Sequence, residues 1–242
     1  MSLTTMSFTS RLAAATLATL MPFSAMADSD ADAIKAQFEK AYPEMKIKSV
    51  LPSPIAGLYE VFTNGNLLYI DKSGKYVLAG ATLVDDVTKR NITADRLKEL
   101  TAIKFESLPF KNAIEVKKGS GAYHFAVFTD PDCPHCKTLE QGLEKLGLTD
   151  YTAYIFLTPV VELHPEAREK AESIWCAKDR SATWQAWMTE GKLPEKATCE
   201  NPVDATVTLS RELGVMGTPT IYLANGYMAA NPQELVDAIK KK

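Results

Sequence analysis

The segment HFAVFTDPDCPHCK (124–137) places two cysteines three positions apart, directly after an apolar stretch that is typical of a buried strand. Pro134 fits the first turn of a helix, where its missing N–H is not needed. The free N–H groups and positive end of that helix stabilise a thiolate on Cys133, and a protonated His135 adds a second positive charge. Cys136, one turn further in, is shielded and able to attack a disulfide formed at Cys133. The segment therefore predicts a redox pair with Cys133 as nucleophile and Cys136 as resolving thiol, tuned by the two residues between them.

Two other uses of this cysteine pair fit the sequence less well. Zinc normally takes four ligands, but Cys176 and Cys199 lie 23 residues apart, and the histidines at 124, 135 and 164 have no ligand spacing. A purely structural bridge between cysteines three positions apart closes too short a loop to restrict the unfolded chain much. We therefore expect no metal and no other cofactor at this site.

A second motif, GVMGTPTIYL (214–223), favours the redox interpretation. Pro219 opens a predicted strand, where it cannot donate to the ladder, and a proline in a tight turn is compatible with a cis peptide bond. Alone, the motif is equally typical of an ordinary loop. Together with the upstream CxxC in an α/β domain, Thr218-Pro219 strengthens the prediction of a redox site.

The first 27 residues have the features of an export signal. Arg11 is the only charged residue before Asp28, residues 12–21 form a short apolar run, and residues 25–27 have the small-x-small form that signal peptidase accepts. Ten apolar residues are too few to span a bilayer, so we expect cleavage after Ala27 and not a retained anchor. Export leads to an oxidising compartment in which disulfides persist. A formal net charge of −3 without a basic stripe argues against nucleic acid as a partner.

The first part of the mature chain reads as one helix followed by antiparallel strands. Residues 30–41 have a helical period, and residues 46–86 contain strand-like runs separated by Asn64-Gly65 and Ser73-Gly74, which are typical hairpin turns. Such a unit is small for independent stability, and burying a face or edge against a second copy would stabilise it. We therefore expect a homodimer formed through this region.

The second part alternates strands with helices. Thr93 is the predicted N-cap of a linker helix, and KKGSGA (117–122) is a predicted loop. The predicted strands lie at 123–129, 151–158 and 219–224, and the predicted helices at 166–177, 181–189, 203–213 and 232–241. This alternation indicates an α/β layer fold. The expected division of the chain is a signal peptide at 1–27, an N-terminal domain at 28–90, a linker helix at 91–115 and a catalytic domain at 116–242.

The sequence resembles the DsbC/DsbG group of periplasmic thiol:disulfide isomerases over essentially all of the mature chain. The matching segments are AIKAQF, SPIAGLYEVFTNGNLLYID, VFTDPDCPHCK, IWCAKD and LGVMGTPT. The resemblance implies a mixed α+β and α/β architecture. It would consist of a small cystatin-like dimerisation domain, a linker helix and a C-terminal thioredoxin-like domain with a helical insertion.

The resemblance also implies roles for particular residues. Cys133 and Cys136 would be the redox pair, and Thr218-Pro219 would be a cis-proline loop whose backbone holds an extended substrate segment. Cys176 and Cys199 would form a structural disulfide, which the chain-entropy estimate values at roughly 3 kcal/mol. The implied partners are wrongly disulfide-bonded or misfolded exported proteins and a membrane thiol reductase of the DsbD type.

The residues between the cysteines depart from the family pattern. DsbC-like isomerases commonly have Gly-Tyr there, whereas Pro134-His135 is associated with DsbA-type oxidases. A histidine favours the reduced form and makes the disulfide more oxidising. The architecture, and Thr218 in place of the valine usual in oxidases, favour an isomerase or reductase. A DsbA-like dithiol oxidase and a chaperone with secondary thiols are the alternatives.

Other polar residues near the site are expected to have structural or solvent-exposed positions. His164 is expected to begin a surface helix. Asp130 and Asp132, which flank Cys133, are expected to be solvated. The three tryptophans at 175, 184 and 187 have helical spacing and are expected in the core.

Overall fold

The computed structural model describes residues 29–241, so the expected export signal at 1–27 lies outside the described residues. The N-terminal part contains, in chain order, α1 (Ser29–Ala41), β1 (Ile47–Pro52), β2 (Leu58–Thr63), β3 (Asn66–Asp71), β4 (Val77–Leu78), β5 (Val84–Asp85), β6 (Arg90–Asn91) and α2 (Ile92–Leu100). The C-terminal part contains β7 (Ile114–Lys118), β8 (Tyr123–Thr129), α3 (Pro134–Lys145), β9 (Tyr151–Leu157), α4 (Ala167–Cys176), α5 (Arg180–Glu190), α6 (Val203–Glu212), β10 (Thr220–Leu223) and α7 (Pro232–Lys240).

The N-terminal sheet is an antiparallel meander in which β1, β2, β3 and β4 pair in chain order. Asn64 and Gly65 join β2 to β3 with φ values of 47° and 77°, the left-handed backbone that a two-residue hairpin turn requires. One face of the sheet is covered by α1, whose Ile34 and Phe38 bury against Val61. The leucines of α2 pack on the other face. The sheet is thus covered by a helix on each side.

The C-terminal part is built on a four-stranded sheet in the order β10-β8-β9-β7. β8 and β9 are parallel because α3 connects them by a crossover, whereas the two edge strands are antiparallel to their neighbours. Side chains alternate along β8, so Phe125 and Val127 face α3, α5 and α7, while Ala126 and Phe128 face the opposite side. The sheet therefore carries α3, with its CxxC, at the carboxyl end of β8.

The sequence predicts a linker helix over 91–115, but α2 ends at Leu100. Phe105, in the first of two short 3₁₀ turns, and Leu108, which directly follows that turn, are buried on the face of the C-terminal sheet opposite α3, because that face needs an apolar cover. β7 then begins at Ile114 and pairs with β9, so the expected boundary at residue 116 falls inside a strand. Only about the first third of the expected linker is α-helical.

The N-cap of α2 also differs from the prediction. Asn91 caps this helix, with its Oδ1 accepting from the N–H of Ala94 at 2.9 Å. Thr93, the predicted cap, is buried inside the first turn, and its Oγ1 lies 2.6 Å from the hydroxyl of Tyr69. The Thr93 hydroxyl therefore forms a hydrogen bond with a residue of β3 and not with its own helix. Local sequence does not reveal such a distant partner.

The helices α4, α5 and α6 form an insertion between β9 and β10. The three tryptophans of the insertion are buried, as expected, with Trp184 fully enclosed. Among residues 29–241, no helix combines the length and the hydropathy that crossing a bilayer requires.

The two parts of the molecule meet at the loop that precedes β10. The tip of the β2–β3 hairpin approaches it so closely that a Cβ on Gly65 would lie 3.1 Å from the carbonyl oxygen of Gly214. On the same side, Lys98 of α2 forms an ion pair with Glu234 of α7. The N–H of Ile103 donates to the carbonyl of Gly226 at 2.9 Å. The N-terminal part therefore contacts the loop that carries Thr218 and Pro219.

Candidate active site

Cys133 lies at the point where β8 has ended and α3 begins. It is the N-cap residue of α3, with extended backbone, and Pro134 occupies the first helical position. Its N–H donates to the carbonyl of Asp130 at 3.2 Å, and its carbonyl accepts from the N–H of Lys137 at 3.1 Å. The sulfur therefore stands beside the unpaired N–H groups and the positive end of the helix, an environment that stabilises a thiolate.

The loop containing Thr218 and Pro219 faces this sulfur. The Thr218-Pro219 peptide bond is cis. The Cys133 thiol donates to the carbonyl oxygen of Thr218 over 3.4 Å. Residues 85 positions apart in the chain are thus neighbours, because β10 pairs with β8 and brings the start of β10 to the end of β8.

The two cysteines of the CxxC are unpaired and differ in accessibility. Cys133 is 5% exposed and Cys136 is 1% exposed. Burial raises the pKa of Cys136 to about 12, and the neighbouring Cys133 sulfur adds to the rise, while hydrogen bonds from Thr129 and from the Asp130 backbone oppose it. The inner thiol is therefore kept protonated, and the outer sulfur is the one a substrate reaches.

His135 and Pro134 are exposed at the first turn of α3. His135 lines two cavities. The first, about 440 Å³, is lined by Cys133, Thr218 and a mainly apolar wall in which His164 and Arg211 are among the polar side chains. The second, about 500 Å³, runs along α3 past Pro219 and is lined mainly by apolar side chains. The site therefore offers one cavity at the reactive sulfur and a second one on the other side of Pro219 and His135.

The prediction that Asp130 is solvated is wrong. Its side chain is fully buried and accepts from the N–H of Asp132 at 2.7 Å and of Val160 at 2.6 Å. Nδ1 of His164 lies 3.0 Å from the same carboxylate. His164 is not a surface residue that begins α4 but a partly buried neighbour of the redox loop, three residues before that helix. The signal that could have found Asp130 is the apolar run FAVF (125–128), because the buried end of this strand leads directly into it.

Asp132 is also held by a partner. Its carboxylate forms an ion pair with Lys170 of α4 at 2.8 Å, with both side chains less than one-fifth exposed. Trp187 of α5 donates to the carbonyl of Pro131 at 2.7 Å, and the amine of Lys137 lies 4.0 Å from its ring centroid. The insertion therefore clamps the loop that positions Cys133 through one ion pair, one hydrogen bond and a cation–π contact.

A further titratable side chain lies on the buried face of α3. Glu140 is buried, and burial raises its pKa to about 7, against the opposing effects of a hydrogen bond from the Trp184 indole and the charge of Lys118. The Trp184 nitrogen lies 3.2 Å from Oε1 of Glu140. Sequence interpretation missed this residue, because a glutamate in an amphipathic helix is normally solvated.

Cys176 and Cys199 form a disulfide with a sequence separation of 23 residues. Cys176 ends α4, whereas Cys199 lies in the stretch between α5 and α6 that has no regular secondary structure. The N–H of Ala197 also donates to Ser173 at 3.3 Å. The bridge therefore fastens an irregular segment to the insertion, far from the redox pair along the chain.

A CxxC pair at the start of a helix, facing a cis-proline loop in a β-sheet of this topology, defines a thiol:disulfide oxidoreductase with a thioredoxin-like domain. Comparison with known families agrees with this class. Residues 110–241 match the thioredoxin-like domain, and residues 25–94 match the disulfide bond isomerase protein N-terminal domain.

Individual relatives make the assignment more specific. The chain is 38% identical over 199 residues to the probable thiol:disulfide interchange protein DsbC of Bordetella pertussis, covering 82% of this chain and 69% of that protein. It is 31% identical over 218 residues to the thiol:disulfide interchange protein DsbC of Escherichia coli K12, covering 88% of each. The crystal structure of a disulfide interchange protein from Neisseria gonorrhoeae matches with a TM-score of 0.52 and 40% identity, covering 55% of this chain and 97% of that one.

The chain belongs to the DsbC family. The family resemblance and the fold class predicted from the sequence are confirmed, and the protein is a thiol:disulfide oxidoreductase of the disulfide isomerase kind.

Proposed function

We propose that this protein reshuffles incorrect disulfides in exported proteins, with Cys133 as the nucleophile and Cys136 as the resolving thiol. The observation that carries this assignment is the position of the Cys133 sulfur, at the N-terminus of α3 and 3.4 Å from the Thr218 carbonyl. The helix end supports the thiolate, and the Thr218-Pro219 loop provides a backbone edge against which an extended substrate segment binds. Pro134 and His135 tune the stability of the thiolate.

In the reaction, the Cys133 thiolate attacks one sulfur of a substrate disulfide. A new S–S bond joins Cys133 to the substrate, the old S–S bond breaks, and the second substrate sulfur leaves as a thiolate. Another substrate thiolate then attacks the mixed disulfide or a neighbouring disulfide, and Cys133 is expelled once a different substrate bond has formed. Two electrons stay in each S–S bond throughout, so the isomerisation needs no oxidant or reductant.

Cys136 takes part when the substrate does not rearrange. Its thiol loses a proton and attacks the Cys133 sulfur, releasing the reduced substrate and leaving a Cys133–Cys136 disulfide. The substrate has then gained two electrons, and the enzyme must be reduced before its next cycle. We assign that reduction to a membrane thiol reductase of the DsbD type, which family membership supports.

The site of action that we propose is the periplasm, with removal of the leader after Ala27. The DsbC relatives support export, and Cys176–Cys199 is the kind of bridge that persists in an oxidising compartment. We further assign residues 28–90 as the dimerisation domain. Its short edge strand β4 and the nearby loops carry exposed apolar side chains, and a second copy would cover them. These side chains are Tyr76, Val77, Leu78, Val84 and Val87.

The Pro-His pair inside the CxxC favours a more oxidising disulfide, whereas the N-terminal domain favours isomerisation. An isomerase must stay reduced and hold misfolded chains, and a second catalytic arm in a dimer serves that purpose. We therefore propose isomerase and reductase activity as the main function, in preference to a DsbA-like oxidase activity.

The test is a comparison of the protein with its Cys133→Ala variant on scrambled ribonuclease. We expect reactivation to fall by at least about 100-fold, since the nucleophile is removed, while suppression of aggregation of a cysteine-free unfolded protein stays within about twofold. Undiminished reactivation by the variant would contradict the proposal and favour the chaperone. Rapid oxidation of a reduced dithiol peptide without reactivation of scrambled ribonuclease would instead identify a dedicated oxidase.

A further inference from the structure

The pair Asp130–His164 lies on the wall of the cavity that contains Cys133. The Asp130 carboxylate is fully buried and holds Nδ1 of His164 at 3.0 Å. Its remaining contacts are with donors, the N–H groups of Asp132 and Val160. A carboxylate accepts hydrogen bonds, so Nδ1 of His164 carries the proton and Nε2 is the nitrogen free to exchange one. This orientation is fixed by a carboxyl group that solvent does not reach.

His164 is placed to meet a substrate. The side chain is 23% exposed and, with Cys133 and Thr218, lines the cavity of about 440 Å³. The other titratable or charged groups that line this cavity are His135, Glu162 and Arg211, all of which are exposed. Lys170 and Asp132 neutralise one another beside the redox loop. Among the described groups that line the cavity, His164 is the titratable side chain whose orientation is set by a buried carboxylate.

Disulfide reshuffling moves protons on and off the substrate sulfurs, so a proton acceptor and donor near neutral pH accelerate it. A substrate thiol has a reference pKa near 8.5, whereas that of imidazole is near 6.5, so imidazole exchanges protons readily at the pH where most thiols are still protonated. Positioned groups of this kind typically contribute 10²–10⁴-fold to proton-transfer reactions. For thiols, which ionise in part without help, we expect a smaller gain, about 10-fold.

We propose that His164, oriented by Asp130, is the proton-transfer residue for the substrate sulfurs, an inference that rests on the proposed role of Cys133. When Cys133 attacks, the substrate sulfur that leaves takes a proton from Nε2 of the imidazolium. The neutral Nε2 then accepts a proton from a substrate thiol, and the resulting thiolate attacks the next disulfide sulfur and expels Cys133. The proton that left His164 is thereby returned, and no electrons enter or leave.

The decisive variant is His164→Asn. An asparagine side-chain nitrogen overlays Nδ1 and keeps the hydrogen bond to Asp130, but it removes the nitrogen that titrates. The matched control is His124→Asn, because His124 is exposed on β8 and contacts Tyr154 (Nδ1 to hydroxyl, 3.4 Å) away from this cavity. Two rates are measured between pH 5.5 and 8.5: reactivation of scrambled ribonuclease, and alkylation of Cys133 by iodoacetamide. The second reaction has iodide as its leaving group and therefore needs no proton donor.

We expect His164→Asn to lower reactivation about 10-fold near pH 7 and to remove one ionisation from its pH profile, with Cys133 alkylation changed less than twofold. His124→Asn should match the parent protein in both assays. An unchanged reactivation profile would overturn the proposal, and so would an equal fall in both rates, because the histidine would then act on Cys133 and not on the substrate. If His164→Asn does not fold, as judged by thermal unfolding, the same comparison on His164→Gln decides the question. Failure of the proposed function itself would appear separately, as reactivation that survives Cys133→Ala.

Discussion

The molecule contains two pairs of cysteines in one domain, and their surroundings are opposite. Cys133 and Cys136 are unpaired, buried and located in the first turn of α3, beside the loop of Thr218. Cys176 and Cys199 are joined, and Cys199 is exposed in an irregular segment. The first pair is close in sequence, and its loop is held in place by the start of α3, by the Asp132–Lys170 ion pair and by the hydrogen bond from Trp187. The second pair is distant in sequence, and its disulfide fastens the irregular segment between α5 and α6 to α4.

This contrast separates reactive from structural sulfur by physical criteria. A cross-link over 23 residues restricts the unfolded chain considerably, whereas a link over three restricts it little. A sulfur at a helix N-terminus gains an electrostatic environment for a thiolate, which the exposed Cys199 in its irregular segment lacks. The predictions that follow test this separation and the surroundings that hold the reactive pair in place.

The largest expected effect is on stability. Replacing Cys176 and Cys199 by alanine should lower the free energy of unfolding by about 3 kcal/mol and increase the denaturant m-value, because the unfolded chain is no longer cross-linked. Replacing Cys133 and Cys136 by alanine in the reduced protein should cost about 1–2 kcal/mol from lost packing, without a change in m. Urea unfolding of both double variants makes the comparison. An equal loss with equal m-values would show that the two pairs do not differ as described.

The next effect concerns the buried face of α3. The pKa of Glu140 is raised to about 7 from an ordinary value of 4.5. The folded protein therefore binds this proton more tightly than the unfolded chain, and its stability should fall as the pH rises from about 4.5 to 7. Glu140→Gln keeps an acceptor for Trp184 and should be more stable than the parent by about 2 kcal/mol at pH 8.

The control for that prediction is Glu144→Gln, one turn further along α3, where the side chain is exposed. In thermal unfolding between pH 4.5 and 8, the parent and the control should lose stability in the same way as the pH rises. Glu140→Gln should lose less, so that its stability exceeds theirs at high pH. A Glu140→Gln variant with the same pH dependence as the parent would mean that Glu140 is ionised at no cost in the folded protein.

The smallest effect concerns the clamp on the redox loop. Lys170→Met removes the partner of Asp132 and leaves a negative charge next to Cys133 in the chain. Because a nearby like charge disfavours a thiolate, alkylation of Cys133 at pH 7 should slow by about threefold, with a loss of stability of about 1 kcal/mol or less. Lys196→Met breaks an exposed pair with Glu169 and should change neither quantity. Equal rates of Cys133 alkylation in both variants would show that Lys170 of the insertion does not affect the electrostatics at Cys133.

Local sequence was sufficient for most of the secondary structure and for the residues that approach the reactive sulfur. Pro134 marks the start of α3, and Asn64-Gly65 marks a hairpin, because each requirement is satisfied within a few residues. What could not be predicted depends on distant partners. Asp130 and His164 are 34 positions apart and meet only because β8 and β9 are parallel neighbours. Likewise, Phe105 covers a sheet whose strands come later in the chain, so it was assigned to a linker helix.

The most direct test of the central claim is to identify the sulfur that joins to a substrate. The Cys136→Ala variant, incubated with scrambled ribonuclease and quenched with acid, should accumulate a mixed disulfide, since the resolving thiol is missing. Peptide mass spectrometry of the adduct should place the enzyme sulfur at Cys133 in essentially all molecules, and Cys133→Ala should form no adduct above background. Adducts of comparable yield through Cys136 in the Cys133→Ala variant would contradict the account.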